Sequence, residues 1–114
     1  MYINRGDIFY VEYGYAVGSE QHSGRPAVIV SNNLNNEHSP VVELVYLTTR
    51  IARRRLPTHV SVDATGTPST ALCEQVHSVD CQRLGRYCGS CSAEEMRKID
   101  KALLISLDLR NVRN

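Results

Sequence analysis

The 114-residue chain has no apolar run approaching the roughly 20 residues that a membrane-spanning helix requires, and no basic segment leading into an apolar stretch with a small-residue cleavage site. Nothing in the residues directs it into or across a membrane, so the cytoplasm is the expected location. That bears on Cys73, Cys81, Cys88 and Cys91, whose even number would suggest disulfides in a secreted protein; here they are expected to be free thiols. His22, His38, His59 and His77 are scattered without HExxH spacing, and no glycine-rich phosphate loop with its lysine is present, so neither motif specifies a metal centre or a nucleotide site. A net charge of only +1 carries no nucleic-acid signature by itself. No internal repeat or low-complexity segment interrupts the chain, and one domain spanning 1–114 is the simplest organisation.

What is present is an ordinary globular composition, 42% hydrophobic, in a chain long enough to bury about two-thirds of its unfolded surface. Short runs rich in strand formers predict strands at 8–11, 27–30, 41–48, 59–62, 71–76 and 78–84. Turn formers punctuate them. Arg5, Gly6, Asp7 predicts a turn, although it also spells a cell-adhesion tripeptide; 32–40 is expected to be a polar connection, and Pro57 forbids a helix before His59. Glu43 is the only charged residue of its strand and must face solvent or a partner. Ser92 with Glu95 forms a capping box, and Met96, Ile99, Leu103 and Leu107 recur at helical spacing. One helix therefore closes the chain, its apolar stripe against the sheet, Glu94 paired with Lys98 on its wet face, and 110–114 frayed beyond it. The fold class is mainly β with a C-terminal helix, a small barrel or sandwich.

Chemistry concentrates in the loop 17–26. Gly18 and Gly24 bracket Ser19, Glu20, Gln21, His22 and Ser23, and Arg25 follows at the mouth of an apolar strand. Pro26 biases Arg25 towards an extended backbone, which aims a planar fork of donors suited to phosphate or carboxylate. A solvated surface hairpin would look much the same. The pair Cys88 and Cys91 has the spacing of a redox motif or half a zinc site, but the βαβ context of the first and a second spaced pair for the other are missing, so unliganded thiols are expected. What survives is phosphate-binding chemistry: Arg25, the Thr48 hydroxyl, Glu20, and the basic run through Arg50, Arg53, Arg54 and Arg55.

These residues occur in a specific order. Arg5, Gly6, Asp7, then 17–21, then Gly24, Arg25, Pro26 and Asn32, then Ser39, Pro40, Thr48, the segment 56–60, Glu74, Gln75, Val76 and finally Ile105, Ser106, Leu107 resemble the MazF/PemK toxins over nearly the whole chain. The resemblance implies an SH3-like barrel with a terminal helix, a homodimer, a MazE-like antitoxin with an acidic and apolar tail, and an endoribonuclease that cuts single-stranded RNA at a short sequence without a metal or other cofactor. The family's essential arginine and threonine fall on Arg25 and Thr48, and its acidic loop residue on Glu20. Candidate RNA contacts are Ser19, Gln21, His22, Arg50, Arg53, Arg54, Arg55, His59 and Gln75. The chain departs from the pattern at His22, where close relatives often have glycine, at His77, where they often have arginine, and in its four cysteines.

Such an enzyme would use the ribose 2′-hydroxyl as nucleophile, with Arg25 and Thr48 on the phosphate oxygens and either Glu20 or His22 as base. Two other classes remain open: a gyrase poison of the CcdB type, whose C-terminal tryptophan motif this tryptophan-free chain lacks, and a binding module of SH3 type without activity.

Overall fold

The computed structural model describes residues 2–12, 24–50 and 55–109. Ser19, Glu20, Gln21, His22, Arg53, Arg54 and the tail 110–114 lie outside the described residues. Six strands, β1 (Asp7–Glu12), β2 (Gly24–Ile29), β3 (Val41–Thr48), β4 (His59–Val62), β5 (Ser69–Asp80) and β6 (Leu84–Ser90), accompany two helices, α1 (Asn33–His38) and α2 (Ala93–Ser106). The strands form one antiparallel sheet in the order β4-β5-β3-β2-β1-β6.

Successive side chains on a strand point to opposite faces, so apolar strands feed two layers. Ile8, Val28 and Val45 join Val60 and Val62 in one cluster, which Ile99 and Ala102 of α2 complete. Their sequence neighbours Phe9, Ala27, Ile29, Leu44 and Tyr46 build the second cluster on the other face, to which α2 contributes nothing. Register irregularities in the β1–β6 and β3–β5 ladders bend the sheet. At Gly89, whose φ of +136° suits glycine, an added Cβ would meet the Ala64 carbonyl oxygen at 2.8 Å. The end of β6 thus lies against the turn after β4, at the opposite edge of the sheet. The sheet curls into a barrel-like form without closing its ladder.

The Arg5, Gly6, Asp7 triplet is a structural turn. Gly6 takes φ +96°, its N–H donates to the Ile29 carbonyl and its own carbonyl accepts from the Cys91 N–H. Arg5 donates from Nε to the Val30 carbonyl at 2.8 Å and pairs with Asp100 at 2.8 Å, while Asp7 accepts from the Asn4 N–H and the Ser90 hydroxyl. The capping box at Ser92 and Glu95 forms as the spacing predicts, and Glu43 is exposed.

Several expectations need correction. Residues 32–40 contain the short helix α1, because the Asn32 side chain accepts from the Asn35 N–H and Asn36 turns inward to bond Ser31. Residues 71–76 and 78–80 belong to one long strand, β5, whose exposed His77 and Ser78 look like a break only in sequence; the rest of the second expected strand is a 3-10 turn at Cys81–Arg83 and the first residue of β6, Leu84. The strand β6 was not foreseen; it carries Gly85 and Gly89 and buries only Leu84. Leu107 is 54% exposed and Ala102 takes the core position, since α2 ends at Ser106. Glu94 pairs with Arg97 at 3.6 Å rather than with Lys98.

Candidate active site

Arg25 stands within β2, one residue into the strand, rather than in the preceding loop. The β2–β3 ladder pairs Ala27 with Tyr46, Val28 with Val45 and Ile29 with Leu44. Arg25 stands two residues before Ala27 on β2 and Thr48, the last residue of β3, two residues after Tyr46, so strand alternation puts both on the face of the sheet that carries Ala27 and Tyr46. Both are half-buried. The Arg25 guanidinium lies over the Tyr46 ring, with Cζ 4.8 Å from its centroid. Thr48 Oγ1 accepts the Arg50 N–H at 3.2 Å, which occupies a lone pair and leaves the hydroxyl proton available for an incoming anion.

Beside Thr48 opens a cleft of about 190 Å3 whose lining includes Arg50, Arg55, Ser61, Asp63 and Thr70. Arg55 leans across it, its guanidinium 3.4 Å from the Ser61 hydroxyl. Two predicted contacts, Arg50 and Arg55, are thus brought to the threonine; both are exposed. Of the candidates named from sequence, the cleft gathers Thr48, Arg50 and Arg55; Arg25 lies against Tyr46 of the strand that ends in Thr48, and Gln75 stands further along β5.

His59 is occupied differently. Its Nδ1 accepts the Leu56 N–H at 3.3 Å, so Nε2 carries the proton and donates to Glu74 Oε2 at 3.0 Å. The buried Thr58 hydroxyl donates to the other Glu74 oxygen at 3.1 Å. This carboxylate ties the segment that carries Arg55 to β5. Burial alone would raise the Glu74 pKa, but a bond to its own backbone N–H together with His59 and Thr58 holds it below the ordinary glutamate value. Glu74 can sit here because β5 bulges: opposite Val45 and Leu47 of β3 stand Val76 and Ala71, so the partner strand gains residues and leaves both Glu74 and Gln75 exposed.

Sequence reasoning missed Tyr46 as a site residue. The available signal was strand alternation, which puts positions 46 and 48 of one strand on the same face. His77, noted only as a departure, meets the Tyr46 ring edge-on at 5.0 Å. The four cysteines are free thiols. Burial pushes Cys73 and Cys91 up to about 12, helped by the carboxylates of Glu74 and Glu95 respectively, which keeps both as thiols near neutral pH. No helix among the described residues is long and apolar enough to cross a membrane.

The chain is 37% identical over 113 residues to the endoribonuclease EndoA of Bacillus subtilis, covering 96% of this chain and 97% of that protein. Among solved structures it is similar to an endoribonuclease in complex with its cognate antitoxin from a mycobacterial species, with a TM-score of 0.80 and 29% identity over 95% of this chain and 97% of that one. The MazE–MazF structure from Deinococcus radiodurans matches with a TM-score of 0.82 over 96% of this chain and 99% of that one; at 19% identity this likeness speaks to the fold alone. The family model for PemK-like, MazF-like toxins of type II toxin-antitoxin systems matches residues 4–107. With a family match over almost its full length and 37% identity to EndoA, the chain belongs to the PemK/MazF toxin family.

Proposed function

We propose that this family member, an endoribonuclease, cuts single-stranded RNA at a short sequence by internal transfer and without a metal. The ribose 2′-oxygen bonds to the adjacent phosphorus, the bond from phosphorus to the 5′-oxygen breaks, and the products are a 2′,3′-cyclic phosphate and a 5′-hydroxyl. The 2′-proton passes to a base, Glu20 or His22, and the departing 5′-oxygen takes up a proton. Because the RNA carries its own nucleophile, the protein needs only to align it, accept its proton and stabilise the charge that grows on the non-bridging oxygens.

The observation that supports this reading is that Arg25 and Thr48 lie on one face of adjacent strands, the Arg25 guanidinium resting on Tyr46 of the strand that ends in Thr48. A guanidinium and a hydroxyl on neighbouring strand ends can address two oxygens of one phosphorane, and Arg50 and Arg55 beside Thr48 can hold the flanking phosphates. The chain acts as one domain over 1–114, in the cytoplasm, as a homodimer. Its inhibitory partner is a MazE-like antitoxin whose acidic tail competes with RNA for these arginines, as befits an activity that would damage its host.

Incubating the purified protein with RNA in EDTA, followed by end-group analysis, tests the reading. Cleavage giving cyclic phosphate and 5′-hydroxyl ends is expected. A requirement for added metal, or 5′-phosphate ends, would refute the mechanism, and a folded protein that leaves RNA intact would favour a binding module.

A further inference from the structure

We propose that Tyr46 is a positioning residue for the reaction: its ring fixes the plane of the Arg25 guanidinium, and His77 braces the ring from the neighbouring strand. This rests on Arg25 being the group that stabilises the reacting phosphate.

Tyr46 lies on β3, between β2 with Arg25 and β5 with His77. It is only 6% exposed, so the ring is fixed by packing in the second apolar cluster. Directly across from it stands Ala27, whose side chain is small. The Arg25 guanidinium lies 4.8 Å from the ring centroid. On the other flank the His77 imidazole meets the ring at 5.0 Å with the planes 65° apart.

The consequence follows from the shape of a guanidinium. Its donors all lie in its plane, so an aromatic ring against its face does not compete for the donors that fork onto phosphate oxygens. An arginine side chain otherwise has many rotamers, and each turn that must be frozen during the reaction slows it. The negative face of the ring also attracts the cation. Ordering of this kind acts where charge develops, so it raises the rate of the chemical step more than it tightens binding of RNA. The composition of the chain suits the device: with no tryptophan and a single phenylalanine, tyrosine is its main source of rings.

Single-turnover cleavage and RNA affinity, measured on folded protein, test the inference in Tyr46→Leu, Tyr46→Phe and His77→Ala, each alone and combined with Arg25→Ala. Tyr46→Leu removes the aromatic face and is expected to slow cleavage about 10-fold while changing affinity less than about twofold. Tyr46→Phe keeps the face and should stay within about threefold of wild type. His77 is exposed, so His77→Ala folds even if Tyr46→Leu does not, and it should give a smaller loss in the same direction, about threefold. In the Arg25→Ala background both losses should vanish, because no guanidinium remains to be positioned. A loss that persists in full in that background, a Tyr46→Phe variant as slow as Tyr46→Leu, or a wild-type rate for His77→Ala would overturn the inference. Wild-type cleavage by Arg25→Ala itself would instead remove the proposed role of Arg25, and this inference with it.

Discussion

Replacing Glu74 by alanine should cost both stability and activity, although Glu74 lies on β5 rather than in the Arg25–Thr48 pair. The carboxylate accepts from Thr58 at 3.1 Å and from His59 at 3.0 Å, and the His59 side chain is only 6% exposed. Hydrogen bonds to a charged group contribute about 1.5–3 kcal/mol each when buried. Glu74 keeps 29% of its side chain in contact with solvent, which argues for the low end, so the two together are worth about 2–3 kcal/mol. For a domain of this size that is a fall in Tm of about 10 °C. The sign of the pH dependence follows from the depressed pKa in the folded state. Its stabilisation is fully present above the unfolded glutamate pKa and is lost as pH falls through the lower folded value. The gap between wild type and Glu74→Gln, which cannot titrate, should therefore shrink on acidification below the ordinary glutamate range. Urea denaturation of wild type, Glu74→Gln and Glu74→Ala, repeated from neutral pH into that range, measures it. Glu74→Ala within about 0.5 kcal/mol of wild type at neutral pH, or a Gln deficit that acid leaves unchanged, would refute the reasoning. RNA cleavage should drop in parallel, since the same bonds hold the segment that carries Arg55 beside Thr48.

Arg25→Ala should lower single-turnover cleavage by roughly 100-fold, equivalent to about 2.7 kcal/mol of transition-state stabilisation, while RNA binding falls much less; Arg25→Lys should restore only part, lacking the planar fork. Thr48→Val removes the hydroxyl at nearly constant volume and should slow cleavage without unfolding the protein; near-wild-type rates for both Arg25→Ala and Thr48→Val would discard this centre. Neutralising Arg55 should weaken RNA binding uniformly across sequences and reduce the slope of log K against log salt by about 1; an altered cut sequence with an unchanged slope would point to base readout instead. Cys88 and Cys91 changed together to serine should leave cleavage intact, with a modest loss of stability from polar groups placed against the apolar cluster; stoichiometric zinc in the wild type, or loss of cleavage in the folded double variant, would contradict this.

Local order in the chain was enough to determine the mainly β class, the terminal helix with its capping box, and the turn at Gly6, because each depends on neighbours within a few residues. The ordered motifs also carried the family, and with it Arg25 and Thr48 as candidates. Their placement on one face of adjacent strands was not legible. It depends on the register between β2 and β3, which is set by which side chains pack on each face of the sheet rather than by the 23 positions that separate them. The unbroken run of β5 past His77 and Ser78 was hidden for the same reason: a strand that is wet on one side there resembles a loop in sequence. Leu107 kept the helical period yet lies in the open, since periodicity defines a stripe but not where its cover ends. The partners of Glu74, and the ring beneath Arg25, were decided only when a bulge in β5 and the pairing of β2 with β3 shaped the space around them. Such spaces belong to several strands at once, and no single stretch of the chain encodes them.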